Sequence, residues 1–166
     1  MQPMLRLITC ALLVLTLVLL PPRSALAASY LEKVDYTLTN QSDGDFHDQD
    51  LEGSSFAGAV ARNANFSGAQ LHGAIFTQGA FSGADFSGAD LSDVLMDRAD
   101  FVDTNLENAN LSGVIASGSS FANAQISGAD FSDALLDRED FNKLCRRAKG
   151  TNPASGISTK ASLGCP

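Results

Sequence analysis

The sequence predicts an all-β solenoid, a four-sided parallel β-helix of about five coils closed at its C-terminal end by an α-helical, disulfide-bonded cap. Three observations carry this. An apolar residue recurs every five positions from Phe46 to Leu136; likeness is strongest between residues 20 and 40 apart; and beyond Leu136 the apolar spacing becomes that of a helix.

In steps of five from Phe46, the centre of each unit is Phe46, Leu51, Phe56, Ala61, Phe66, Leu71, Phe76, Phe81, Phe86, Leu91, Met96, Phe101, Leu106, Leu111, Ala116, Phe121, Ile126, Phe131 and Leu136, with no insertion or deletion. Two residues before each centre the chain carries Gly, Ala or Ser, except at Gln49, Val94, Thr104 and Val114. A period of five suits neither ordinary element. On a helix five residues advance about 500°, and on a strand an odd step alternates faces. Each unit therefore contains its own turn, and a path that turns at every unit with one large and one small residue inward is a coil around a narrow core.

The number of sides comes from the longer rhythm. Every fourth centre gives Leu51, Leu71, Leu91 and Leu111 in one column and Phe81, Phe101 and Phe121 in another, while LMDRADF (95–101) and LLDREDF (135–141) are near copies. Four units per coil place like on like, with stacked backbones about 4.8 Å apart.

The ends are read separately. After Leu136 the next inward small position falls on Glu139, a charge that is costly in a dry core. Phe141, Leu144, Cys145 and Ala148 then follow helical spacing. Asp137, Glu139 and Asp140 stand at the start of this stretch, and Lys143, Arg146, Arg147 and Lys149 toward its end before Gly150, as a helix dipole and a glycine C-cap favour. The spacing predicts a helix over 137–149 lying on the last coil, within a cap region 137–166. At the other end residues 28–44 are expected to form a cap segment, with Leu31, Val34, Tyr36 and Leu38 over the first coil as a short strand or helix, and the repeat occupies 45–136.

Residues 1–27 carry a Sec-type signal: Arg6, an apolar run to Leu20, Pro21 and Pro22, then small Ala25 and Ala27 before a cut preceding Ala28. An uncleaved anchor and a lipidated Cys10 are the alternatives. Loss of the leader removes Arg6 and Arg23, leaving nine basic against nineteen acidic residues, a net charge of −10. Such a chain is poorly suited to holding nucleic acid or anionic membrane through charge. It keeps Cys145 and Cys165, an even pair that in an exported protein suggests a disulfide.

Chemistry is sparse. His47 and His72 each follow a centre and so point outward, on adjacent sides of different coils, which makes them surface residues rather than a ligand pair. No nucleophile elbow, HExxH, Walker or dinucleotide phrase occurs in its required setting. The run SDGDFHDQDLE suggests calcium, but Asp45 and Asp50 fall on neighbouring sides and no calcium-loop phrase is present. No catalytic residue, metal or cofactor is expected.

The phrases ANFSG, GADFS and ENANLSG resemble the pentapeptide-repeat proteins, over about 45–136 in unbroken phase. The resemblance implies a right-handed four-sided β-helix, with Asp85, Asp90, Asp100 and Asp130 supporting the turn from the slot before the centre. The leader, the acidic repeats and the tail LCRRAKGTNPASGISTKASLGC look more particularly like the thylakoid-lumen members, which implies that compartment and a cap disulfide between Cys145 and Cys165. In one column the slot before the centre holds Ile75, Leu95, Ile115 and Leu135 instead, a ridge of aliphatic residues 20 apart on an otherwise polar rod. An exposed apolar stripe marks a binding surface unless the chain's own ends cover it. The expected function is a non-catalytic exported rod, in the thylakoid lumen or a periplasm, offering acidic faces and this ridge to a protein partner or a second copy. A DNA-mimicking regulator of an enzyme such as gyrase, and a redox-responsive protein acting through the cap disulfide, are the alternatives.

Overall fold

In the computed structural model the residues described are 33–166. Every fifth residue from Asp35 to Ile115 pairs with the residue 20 positions on, in parallel: Asp35 with Ser55, Asp45 with Asn65, Asp50 with Gln70, Val60 with Ala80, and so on to Ile115 with Leu135. The repeat thus stacks with four units to a coil. Each rung is held from both sides; Phe86 N–H donates to Asn105 C=O at 2.7 Å and Asn105 N–H donates back to Ala84 C=O at 3.0 Å.

A turn follows every centre from Tyr36 to Phe131. The N–H three residues on donates to the centre's own carbonyl, as Ala89 does to Phe86 at 3.0 Å. The second residue after the centre has positive φ in every unit from Leu38 to Asp133, the requirement at the third position of a type II turn. Glycine, Asp or Asn fills most of these corners because only they adopt that region at little cost. Leu38, Gln78 and Arg98 are held there by the stacked coil.

The core is the two inward positions. Phe56, Phe66, Phe76, Phe81, Phe86 and Phe101 are fully buried, and so are Ala64, Ala74, Ala84 and Ala109 opposite them. Like sits on like: Phe46, Phe66 and Phe86 stack with ring centroids 4.7 Å apart, and Phe81, Phe101 and Phe121 at 5.3 and 5.4 Å. The buried polar residues in the small position are satisfied by turn groups, Ser54 Oγ donating to Leu51 C=O, Thr104 Oγ1 to Phe101 C=O, and Ser119 Oγ to Met96 C=O of the neighbouring coil while accepting Ala99 N–H, so their burial leaves no orphan.

The two ends differ from the sequence reading in instructive ways. The coil starts at Asp35, ten residues earlier than expected, so 35–44 belong to the helix and not to a separate cap. Tyr36 is itself a core centre, its ring stacked 4.6 Å from Phe56. Leu38 occupies a corner and is 81% exposed rather than lying over the core. The repeat was missed there because Tyr36 and Gln41 are atypical centres and Leu38 an atypical corner. The predicted leader and Leu31 lie outside the described residues.

At the C-terminal end α1 (Arg138–Arg147) is shorter than the expected 137–149. Ala148 turns the chain extended so that Lys149 C=O can accept Gly128 N–H at 2.9 Å. Gly150 is therefore not a C-cap. A Cβ there would stand 2.7 Å from Gly128 N, so it is glycine because the tail approaches the coil closely. Asp137 sits at the N-cap, but its carboxylate accepts the N–H of Gly118 in the coil instead of capping the helix. Leu144 is the fully buried anchor of α1, and Cys145 is joined by a disulfide to Cys165, just beyond α2 (Thr159–Ser162).

This cap closes the free edge of the last coil by supplying it with partners. Asn152, only 1% exposed, donates from Nδ2 to the carbonyls of Asn108, Ala109 and Gly128 at 3.0–3.2 Å. Ser162 Oγ accepts Phe131 N–H at 3.0 Å, and the Arg147 guanidinium donates to Phe121 C=O. An open edge of unpaired groups would otherwise template aggregation.

Candidate interaction surface

Side by side, the four outward slots are not equivalent. Where the slot before the centre holds Asp or Asn, its Oδ1 accepts the N–H two residues on: Asp45 from His47, Asn65 from Ser67, Asp85 from Ser87, Asp90 from Ser92, Asp100 from Val102 and Asp130 from Ser132. This is an Asx-turn bracing each corner. Of the dense acids near the start of the repeat, Asp45 and Asp50 are used this way, Asp50 accepting from Glu52 N–H, while Asp43 and Asp48 occupy corners, so the run is a solvated face. Asp130 is the one of these that the tail buries, to 3% exposure. Burial is the largest influence and pushes its carboxyl up, but hydrogen bonds from Ser132 and Ser155 outweigh it and hold the group below the ordinary aspartate range.

On the side that begins with Asp35 and Ser55 the slot changes character. Ile75, Leu95, Ile115 and Leu135 pair in succession as rungs of one ladder. Ile75 is 37% exposed, Leu95 39% and Leu135 59%, with Ile115 half-buried among them. The same ladder begins with the polar Asp35 and Ser55, so the strip starts at Ile75; exposed Leu38 stands at a corner and exposed Val34 in the inward column of Val94 at the start of the coil. Neither the tail nor α1 covers it. Their hydrogen bonds to the coil fall at 108–109, 121 and 126–131, apart from Asp137, which accepts the corner N–H of Gly118.

The strip is flanked by acids that the sequence reading did not single out. Asp93, at the exposed corner before buried Val94, and Asp97, part-exposed just after buried Met96, stand on either side of Leu95. The same arrangement recurs two coils later in Asp133, Leu135 and Asp137. That the residue after a centre shares the side of the slot is seen directly where Thr37 Oγ1 meets Ser55 Oγ at 2.7 Å. Arg98 and Arg138 come next in the chain, at the corner and at the start of α1. The phrase DVLMD, repeated as DALLD 40 residues on, was the signal available for these acids.

Chemistry elsewhere is slight. His47 Nδ1 lies 2.9 Å from Ser67 Oγ and His72 Nδ1 3.0 Å from Ser92 Oγ, each imidazole tied to the coil below it and apart from the other. Among the described residues no group of three His, Cys, Asp or Glu is placed to hold a metal, and no helix is long and apolar enough to cross a membrane. On α1 Lys143 bridges Glu139 at 2.7 Å and stands 4.0 Å from Asp140, whose carboxyl burial pushes up. Both are features of a cap.

Fold and surface together define a class: a four-sided β-solenoid whose side chains are spent on stacking and turn support, leaving one apolar side. Comparison with protein families matches Pentapeptide repeats, eight copies, over residues 45–78, 81–115 and 99–138. The chain belongs to the pentapeptide-repeat family, whose fold is the right-handed quadrilateral β-helix. It is similar to a pentapeptide repeat protein from the Arabidopsis thaliana thylakoid lumen, 39% identical, covering 77% of this chain and 89% of that one with a TM-score of 0.76. Weaker likenesses are to QnrB1, a plasmid-mediated fluoroquinolone resistance protein, at 18% identity over 65% of this chain and 64% of that one with a TM-score of 0.38, and to HetL, a pentapeptide repeat protein involved in heterocyst differentiation regulation from the cyanobacterium Nostoc, at 25% identity over 61% and 54% with a TM-score of 0.30. No curated protein matches the sequence.

Proposed function

We propose that the protein is a non-catalytic rod of about five coils, exported to the thylakoid lumen, that offers the ridge of Ile75, Leu95, Ile115 and Leu135 to a protein partner. The observation that carries this is the aliphatic ladder itself. Four successive coils place a large apolar side chain in solvent, on a rod whose other outward slots are mostly polar, and such patches mark sites of association. The compartment is supported by the predicted leader and by the likeness to the Arabidopsis lumen protein. Export also removes the chain from gyrase, and the likeness to QnrB1 is too distant to argue for that reading.

The test replaces Leu95 and Ile115 with Ser and crosslinks the protein in its native compartment. Both side chains are outward and brace nothing, so melting is expected to stay within a few degrees of the parent while the crosslinked partner is lost. A large fall in melting temperature with an unchanged crosslinking pattern would show the ridge to be structural.

A further inference from the structure

We infer that the partner's contact on the ridge is a basic amphipathic helix, lying along the rod with Lys or Arg on both sides of its apolar stripe; this rests on the ridge being the interface. Leu95 stands between Asp93 and Asp97, and Leu135 between Asp133 and Asp137. Asp93 is 65% exposed and, among the described residues, its one charged-group neighbour is His72, 3.8 Å away, whereas one oxygen of Asp137 is held by Gly118 N–H. Between the two acid pairs the coil carries Gly113, Ile115 and Ser117, so the middle of the strip is apolar and low-lying. Asp93 leans down over Gly113, which brings its charge toward the level of Ile115.

The spacing selects a helix. Two rungs separate the acid pairs, about 10 Å at about 4.8 Å each. Seven residues of helix, two turns, rise about 10.5 Å, so cations seven apart on each flank meet both pairs while the stripe between them follows the rungs. Ile75 to Leu135 spans about 14 Å, the length of about ten helical residues. Charge selects the sign. Residues 33–136 carry fifteen acids and three bases, Lys33, Arg62 and Arg98, and a field of that sign steers cations to it. A second copy would set Asp93 and Asp97 against the same acids, which disfavours ridge-on-ridge pairing.

The probe is a 14-residue helical peptide with Leu at helical spacing and Lys on both flanks at seven-residue intervals, titrated against the purified protein by fluorescence anisotropy. Binding is expected to weaken at least tenfold in Leu95→Ser/Ile115→Ser, and also in Asp93→Asn/Asp133→Asn, which keeps the corner conformation; added salt should weaken it in the parent. The inference is overturned if a Glu-flanked peptide of the same stripe binds as well, if the Asn variants bind unchanged, or if sedimentation of the protein alone shows a dimer that Leu95→Ser dissociates. Loss of the native crosslinks in the ridge variant together with no preference for the Lys peptide would leave the ridge standing as an interface and remove the basic helix. Unchanged native crosslinks would remove the ridge itself.

Discussion

Opposite sides of this rod have the same backbone and different surfaces. On the side of Asp45, Asn65, Asp85 and Asn105, each outward slot accepts a corner N–H. On the side of Ile75, Leu95, Ile115 and Leu135, no side chain braces the corner, yet the rungs close at comparable distances: Leu95 N–H to Ala74 C=O is 3.0 Å and Asp85 N–H to Ala64 C=O is 2.9 Å. The coil is therefore specified from inside, by the large centre and the small residue opposite it, with the outward slot contributing little. A position the fold does not need is one on which function can act.

The comparison is broken most severely from within. Phe86→Ala removes a fully buried ring stacked 4.7 Å from Phe66, and is expected to cost about 3–5 kcal/mol in chemical denaturation, against almost nothing for Leu95→Ser in the coil beside it. If the two proved comparable, the division between inward and outward residues would fail. Asn152→Ala comes next, because it strips the carbonyls of Asn108, Ala109 and Gly128 of one shared donor at the sealed end. About 1–3 kcal/mol is expected, with the loss confined in hydrogen exchange to the last coil and cap.

Smaller effects sharpen the contrast between sides. Asp85→Leu gives the braced side the character of the ridge, and removes one part-exposed acceptor from Ser87 N–H, so a loss of at most about 1 kcal/mol is expected in thermal melting. The smallest effect is that of pH. Asp130 has its folded pKa depressed, so its contribution is fully present above the unfolded value near 3.8 and is lost as pH falls through the folded one. The stability difference between the parent and Asp130→Asn should be flat from neutrality down to about pH 4 and narrow below that. A difference that grows on acidification would contradict the assigned sign.

Particular residues show how far the sequence could be read. The period of five, the stacking at 20 and the outward ridge were visible because each rests on repetition. The corners were equally repetitive, with Gly, Asp or Asn two residues after most centres, and that rhythm carries the positive φ at each of these positions. The acids flanking Leu95 and Leu135 lie outside the slot before the centre, so the period of five does not single them out; the burial of Val94 and Met96 with Asp93 at an exposed corner is what sets Asp93, Leu95 and Asp97 along one side. Tyr36 was read as a lid because its neighbours break the pattern, although its ring stacks like any other centre.

What the sequence determined by itself is the coil, since a strict period leaves one way to keep every large residue inside and every backbone group paired with the coil above or below. The tertiary structure decided what repetition cannot. It made Asn152, a lone amide in an irregular tail, into a substitute rung, and it ended α1 at Arg147 because Lys149 is needed by Gly128. Among the described residues it also left the ridge exposed, because the cap's hydrogen bonds to the coil fall mostly on other columns. Those outcomes depend on where the chain's non-repeating end returns in space, and no periodicity encodes that return.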